Sequence, residues 1–236
     1  MNQNNKQKGD KFFSKKNLIF IALFTVMGLV ALQIKLFAVV GSNTKFTAFD
    51  LFGPIASGFL GTIPGMTAVL LMQVFNFITH GFSWHDTAAL VRIFPMIFGA
   101  LYFGRKTKLN IVIPLLAILA WNLTPAGRAA WFYSIFWLIP VACYFLQEKY
   151  LLARSLGSTF TAHAVGGALW IYAFPLPKTV WLALVPVTSM ERIIFALGIA
   201  GTYLVFNNAL NYLVQKRFSQ LNFLVNPKYV WKWKTA

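Results

Sequence analysis

The sequence is poor in acidic residues, in cysteine and in charge of any kind. Only 5 of its 236 residues are Asp or Glu, and charged residues make up 11% of the chain, whereas soluble domains carry about a quarter. So few charges cannot cover the surface of a protein of this size in water. The single cysteine, Cys143, excludes an internal disulfide.

Motifs of the common enzyme classes are absent as well. The chain contains no G-x-S-x-G, no H-E-x-x-H, no phosphate-binding G-x-x-x-x-G-K-[ST] and no Asp-rich pair of the kind used in prenyl diphosphate chemistry. We therefore expect no catalytic residues and no cofactor. Uphill transport by this chain would need energy from a partner protein or an ion, because nothing in it resembles an ATPase.

Apolar residues are abundant, at 58% of the chain, and the mean hydropathy is +0.64. A membrane-spanning helix takes about 20 predominantly apolar residues. The sequence therefore predicts an all-α, polytopic transmembrane bundle of about six to eight membrane segments. It includes a short broken helix pair at 51–79, with a tight turn at Ile63-Pro64. The apolar runs are 18–40, 51–62, 64–79, 88–103, 110–124, 129–146, 158–174 and 193–213.

The positive charges predict the orientation. The 21 Lys and Arg residues give a net charge of +16, and most of them fall on one side if the N-terminus is cytoplasmic, as the positive-inside rule requires. We expect a basic cytoplasmic tail at 1–16, a helical membrane domain at 17–214 and a basic, aromatic cytoplasmic tail at 215–236. Run 180–187 is predicted to be a separate helix on the outer surface. The expected partners of the basic loops are membrane lipids, not nucleic acid.

Unusual polar and aromatic residues collect on the predicted outer side. Charge inside a membrane segment usually faces a cavity or a partner, which makes Arg92 and Glu191 the first candidates for binding a small organic solute. Two outer-loop histidines near Asp86 match no strong zinc pattern, so no metal site is expected. The full set of predicted substrate-binding residues is Arg92, Glu191, Trp84, Asn122, Arg128, His85 and Asp50.

One segment carries a family resemblance. FDLFGPIASGFLGTIPGMTAVLLMQVF, at Phe49–Phe75, resembles the second and third helices of the substrate-binding S components of energy-coupling-factor transporters. Ser158–Pro175 is similar to a later stretch of that family. The resemblance implies a bundle of about six helices that holds a vitamin or related nutrient in an outward pocket. It also implies two kinds of partner, a transmembrane coupling protein and cytoplasmic ATPase subunits.

The same resemblance implies a docking face on the first helix and a lid over the pocket. Family members often show Ala-x-x-x-Ala in that helix. Here Ala22 is followed by Val26, so the predicted docking residues are Ala22, Gly28 and Ala31. The lid would consist of the loops at 41–50 and 80–86. Residue 2 is Asn rather than the His of metal-importing members, which argues against cobalt or nickel as cargo.

Two other functions remain open from the residues alone. The chain could be a membrane enzyme acting on a lipid or isoprenoid, with His163 or the pair His80 and His85 as acid–base groups. It could also be an assembly protein whose Gly and Ala faces contact partner helices.

Overall fold

A computed structural model describes residues 15–38, 45–79, 87–174, 176–216 and 218–231. These residues are mostly helical, which confirms the all-α prediction in its coarse form. The helices of the first half are α1 (Lys15–Gln33), α2 (Phe49–Phe52), α3 (Ala56–Leu60), α4 (Thr62–Thr79), α5 (Thr87–Ile93) and α6 (Pro95–Gly104). Those of the second half are α7 (Leu109–Leu123), α8 (Pro125–Ala129), α9 (Leu138–Leu146), α10 (Leu151–Ala173) and α11 (Lys178–Lys216). Shorter 3-10 turns occupy Gly53–Ile55, Trp131–Trp137, Ser219–Leu224 and Pro227–Tyr229.

Three helical stretches of the described chain are long and apolar enough to cross a membrane: Thr62–Thr79, Thr87–Gly104 and Lys178–Lys216. Large apolar side chains are exposed on the outside of the bundle, which is the surface that lipid covers in a membrane protein. Examples are Leu71 and Phe75 on α4, Leu116 and Leu119 on α7, and Ile193 and Leu197 on α11.

Helix α10 packs against α6, α7, α9 and α11. Most of its buried residues are small or carry a hydroxyl, so neighbouring backbones can approach closely. Ser158 Oγ donates a 2.7 Å hydrogen bond to the carbonyl oxygen of Gly99 on α6. A Cβ atom at Gly99 would lie 3.3 Å from Cβ of Ala162. The predicted run 158–174 therefore lies in a helix whose buried face consists mostly of small residues.

The broken helix pair at 51–79 exists, with its turn displaced. Phe49–Leu60 forms one short composite helix, and Gly61 reverses the chain with φ of 86°, a conformation that glycine adopts without steric cost. A Cβ at Gly65 would lie 2.3 Å from Cα of Ser57, so the two helices touch backbone to backbone. The turn thus lies at Gly61 instead of Ile63-Pro64, and the second helix, α4, has 18 residues.

The run 18–40 is helical only to Gln33. Strands β1 (Lys35–Ala38) and β2 (Lys45–Thr47) follow as an antiparallel hairpin, with Lys35 opposite Thr47. The N–H of Ala48 also donates to the carbonyl of Ile34, at 2.9 Å. The hairpin was not predicted, because an apolar run gives no sign of backbone pairing with a segment ten residues away.

Helix α11 corrects another prediction. Residues 180–187 are not a separate surface helix, because they form the first part of a continuous helix of 39 residues. Pro186 lies inside this helix without ending it. At 1.5 Å per residue the helix is about 58 Å long. Its buried face includes Thr188, Glu191, Arg192 and Phe195.

The tail after α11 is fixed by two adjacent asparagines. Asn207 Oδ1 accepts the N–H of Asn226 at 2.7 Å, and Asn208 Oδ1 accepts the N–H of Trp231 at the same distance. The Lys228 ammonium donates to the carbonyl of Glu148, two residues after the end of α9. The described part of the predicted tail therefore packs on the bundle.

Candidate functional site

A cavity of about 540 Å³ lies among α4, α5, α10 and α11. Residues of the hairpin, α1, α2, α6 and the 3-10 turns Gly53–Ile55 and Trp131–Trp137 also line it. Small-molecule sites in proteins are commonly about 300–1,000 Å³, so the cavity has the size of a ligand site. Small residues of α10, such as Ala162, Gly166 and Gly167, form one wall and leave space for the cavity.

Five charged residues of the described chain line this cavity. The cationic ones are Lys35, Arg92 and Arg192, and the acidic ones are Asp50 and Glu191. Glu191 and Arg192 are the most buried, at 8% and 6% exposed. Charge is costly to bury without partners, so this concentration marks the cavity as a polar site inside an apolar protein.

The charged groups have different local partners. Asp50 Oδ2 accepts the backbone N–H of Thr47 at 2.9 Å, which ties α2 to the hairpin. Gln73 Nε2 donates to the carbonyl oxygen of Arg92 at 3.4 Å and so joins α4 to α5. Arg192 Nη2 lies 3.5 Å from Glu191 Oε2. The hairpin, α2, α4, α5 and α11 therefore all contribute to the site.

His163 on α10 belongs to the same cavity. Its Nδ1 lies 3.1 Å from the indole nitrogen of Trp137, and its Nε2 lies 3.2 Å from the hydroxyl of Tyr133. The Tyr133 hydroxyl is also 2.7 Å from Oγ1 of Thr188 on α11. A continuous hydrogen-bond chain thus runs from Trp137 to the cavity wall.

Aromatic rings form much of the remaining wall. They can supply contact area and stacking surfaces for a ligand. Those of the described residues are Phe46, Phe49, Phe77, Tyr133, Trp170, Trp181 and Phe195.

Three predicted substrate-binding residues meet in this cavity: Asp50, Arg92 and Glu191. Trp84 and His85 lie outside the described residues, as do 41–44 of the first predicted lid loop and all of the second, 80–86. The rest of the first loop forms β2 and the start of α2. Their common position agrees with the expectation that charge in a membrane segment faces an interior cavity, and their role in binding a substrate stays a prediction.

Asn122 and Arg128 do not line the cavity. Asn122 Nδ2 donates to the carbonyl of Ile118 at 2.8 Å and to Ser134 Oγ at 3.2 Å. Arg128 Nη1 donates to the carbonyl of Leu123 at 2.9 Å. Both side chains therefore satisfy backbone groups near the end of α7, a role that the sequence does not distinguish from ligand contact.

Arg192 and His163 also line the cavity, although neither was among the predicted substrate-binding residues. His163 was named only as an acid–base group of the alternative membrane enzyme. A signal was present for Arg192, because Thr188, Arg192 and Phe195 recur at helical spacing with Glu191 beside them. For His163 the sequence held no comparable signal, since its partners Trp137 and Tyr133 come from another segment.

The predicted docking residues do not share one face. Ala22 is exposed, whereas Gly28 and Ala31 are buried. A Cβ at Gly28 would lie 2.2 Å from the sulfur of Met72 on α4. Gly28 therefore serves packing within the chain, and a partner helix could reach only the exposed side of α1, which carries Ala22, Leu23 and Val26.

Metal-binding geometry is also absent from the described part of the chain, where no three His, Cys, Asp or Glu residues are grouped so as to hold an ion.

An uncharacterized protein of Methanocaldococcus jannaschii is 24% identical over 194 residues, which cover 72% of this chain and 63% of the relative. The chain thus spans less than two thirds of that relative's length. No family model matches the sequence, and no solved structure matches the chain.

Proposed function

We propose that this chain is a multi-pass membrane protein that binds a small organic solute in the cavity described above, as the substrate-binding subunit of an importer. The observation that carries the proposal is the cavity itself, whose size suits a metabolite and whose wall combines buried charge with aromatic rings. The resemblance of Phe49–Phe75 to S components supports the same function.

The proposed topology has both termini in the cytoplasm. Lys106, Lys149 and Lys228 then lie on the inner side, where basic residues favour anionic lipids. Asp50, Arg92 and Glu191 lie toward the outer side, so the cavity would receive solute from outside. About six to eight membrane segments would be needed, which counts the shorter apolar helices Leu18–Gln33, Phe49–Leu60, Leu109–Leu123 and Trp131–Leu146 as spans or part-spans.

An energy source must come from other chains in this proposal. We expect a transmembrane coupling protein and cytoplasmic ATPase subunits as partners, because this sequence has no nucleotide-binding motif.

A membrane enzyme is the second candidate, and one observation favours it. His163 faces the cavity and is linked to the Tyr133 hydroxyl, an arrangement that could move a proton. Turnover of a lipid or isoprenoid substrate without ATPase partners would identify this function.

The decisive experiment is purification of the tagged full chain from its own membranes in a mild detergent, followed by mass spectrometry of proteins and small molecules in the complex. We expect a coupling protein, ATPase subunits and a bound solute. Substitution of Val91, which lines the cavity, with Trp should abolish the bound solute. Leu119→Trp, on the exposed face of α7, is the matched control and should retain it.

Absence of both partner subunits and solute from the wild-type protein would contradict the importer proposal. Equal solute content in the Val91→Trp and wild-type proteins would show that the solute binds elsewhere.

A further inference from the structure

The guanidinium of Arg192 is buried, and the described residues offer its N–H groups only long contacts. The residue is 6% exposed. Nη1 lies 3.4 Å from Thr159 Oγ1 and Nη2 lies 3.5 Å from Glu191 Oε2, whereas charge-assisted bonds are about 2.7–2.9 Å long. Nε has no acceptor among the described residues. A buried cationic donor without an acceptor is costly, so this group points to a ligand.

Aromatic rings hold Arg192 in place. Its Cζ lies 4.6 Å from the ring centre of Phe195 and 5.0 Å from that of Phe46. These distances are typical of cation–π contacts, which use the ring faces and no hydrogen-bond acceptor. The arginine is therefore positioned while its N–H groups stay available.

Glu191 does not use all the hydrogen-bond donors of Arg192. Consecutive residues on a helix point in different directions and do not face each other, which accounts for the long contact between these two side chains. An acceptor inside the cavity could approach Arg192 with better geometry than Glu191 does.

A second donor at the cavity follows from the hydrogen-bond chain of His163. The Trp137 indole nitrogen can only donate, so His163 Nδ1 must be the acceptor of their 3.1 Å bond. The imidazole is then neutral and carries its proton on Nε2, which donates to the Tyr133 oxygen.

From His163 the hydrogen bonds continue through Tyr133 to Thr188, each group donating to the next. The Tyr133 proton has Thr188 Oγ1, at 2.7 Å, as its acceptor among the described residues. The proton of Thr188 is then left to bond with a further acceptor, and Thr188 lines the cavity. Thr188 and Arg192 are four residues apart on α11, so their side chains lie on the same helix face, about 5–6 Å apart at Cβ.

We propose that the solute is an organic carboxylate, whose acid group accepts hydrogen bonds from Arg192 Nε and from the Thr188 hydroxyl. This inference rests on the proposed solute-binding function. The charge of the cavity agrees with it, because the described lining has three cationic and two acidic side chains. The carboxylates of Asp50 and Glu191 repel an anion. The positive charges of Arg92 on α5 and Lys35 on the hairpin offset that repulsion. The aromatic wall suits an aryl body on the acid.

The test uses the full chain in lipid nanodiscs and pairs of probes that differ only in the acid group. Suitable pairs are 3-phenylpropionate with 3-phenylpropionamide, and indole-3-acetate with indole-3-acetamide, with affinities measured by equilibrium dialysis. We expect each acid to bind at least about tenfold tighter than its amide, the effect of one hydrogen bond to a charged group.

The variants assign that difference to residues. Arg192→Gln should weaken acid binding about 10- to 100-fold and remove the preference for the acid. Thr188→Val, which is nearly isosteric, should weaken it about three- to tenfold. Ser189→Ala is the matched control, because Ser189 Oγ donates to its own helix at the Val185 carbonyl and does not line the cavity.

The Glu191→Gln variant tests whether Arg192 binds a ligand or serves only as the structural ion-pair partner of Glu191. Loss of its charge should tighten acid binding several-fold, since it removes both a repulsive charge and a competitor for Arg192 Nη2. If Arg192 were only a structural partner of Glu191, the substitution would leave acid affinity unchanged or lower it.

Equal binding of acids and amides would overturn the carboxylate inference and leave the solute-binding function intact. Binding of neither form would also overturn it. The proposed function is tested separately, by whether protein purified from its native membranes contains a bound solute.

Discussion

Two aromatic clusters stabilise different parts of this bundle. The phenylalanine cluster consists of Phe24, Phe52, Phe59 and Phe206, with ring centres 4.6–6.3 Å apart. The tryptophan cluster consists of Trp121, Tyr133, Trp137 and Trp181, with ring centres 4.7–5.6 Å apart. The ring spacing is similar in the two clusters, but their hydrogen bonding differs.

Each ring of the tryptophan cluster makes a hydrogen bond. The indole nitrogens of Trp121 and Trp181 donate to the carbonyls of Ala130 and Leu176, at 3.3 and 3.2 Å. Trp137 and Tyr133 bond to His163 and Thr188 as described above. Phenylalanine rings have no polar atom, so packing alone orients them. Two of these hydrogen-bonded rings, Tyr133 and Trp181, line the cavity, whereas no ring of the phenylalanine cluster does.

The largest expected effect comes from truncating one ring in each cluster. Trp121→Ala and Phe24→Ala should each lower the free energy of unfolding by about 3–5 kcal/mol, because both side chains are buried and leave a void. Only Trp121→Ala should also weaken solute binding, since Trp121 supports Tyr133 and Trp181. Unfolding in mixed detergent and dialysis with indole-3-acetate measure the two quantities.

Equal loss of binding in both variants would contradict the division between the clusters. It would mean that the bundle transmits any packing defect to the cavity.

The sequence predicted the polar content of the cavity better than its walls. Arg92 and Glu191 were predicted because charge inside a membrane segment usually faces a cavity or a partner, and Asp50 because it belongs to the predicted outer side. Asn122 and Arg128 are also polar residues beside apolar runs, but their side chains bond to backbone groups near the end of α7. Only the three-dimensional path of the chain distinguishes this structural role from ligand contact. The hydrogen-bond chain joins Trp137, His163 and Thr188, which are distant in sequence, so no local pattern could reveal it.

The fold shows the same limit. The small residues of α10 and the turn in 51–79 were readable because glycine and proline act locally. The continuity of α11 through Pro186 was not, because a helix passes a proline when neighbouring elements stabilise it. The hairpin depends on backbone pairing between Lys35–Ala38 and Lys45–Thr47, which has no marker in either segment alone.

A smaller effect tests whether hydrogen-bonded rings are rigid outside the tryptophan cluster. Tyr102 is fully buried and donates to the Pro140 carbonyl at 2.7 Å. A Cβ at Gly157 would lie 2.2 Å from this ring. Because the bond prevents the ring from moving aside, Gly157→Ala should cost about 1–3 kcal/mol of unfolding free energy.

Gly201→Ala is the matched control within a helix. A Cβ there would meet no atom within 4 Å, so the better helix propensity of alanine should stabilise the protein by about 0.5–1 kcal/mol. Equal effects at Gly157 and Gly201 would show that Tyr102 moves freely.

The smallest effect is the most specific for the tryptophan cluster. Trp137→Phe keeps an aromatic ring and removes the donor to His163, and it should cost about 1 kcal/mol, the net value of one hydrogen bond. The cost is low because an imidazole that has lost its donor can move its proton to Nδ1. Nitrogen-15 spectra of labelled histidine should show the Nε2–H tautomer of His163 in the wild type and a mixture in the variant. An Nδ1–H tautomer in the wild type would break the bond to Trp137, because the indole nitrogen cannot accept. His163 Nε2 would then accept from Tyr133, and Thr188 would donate to Tyr133 instead of to the cavity.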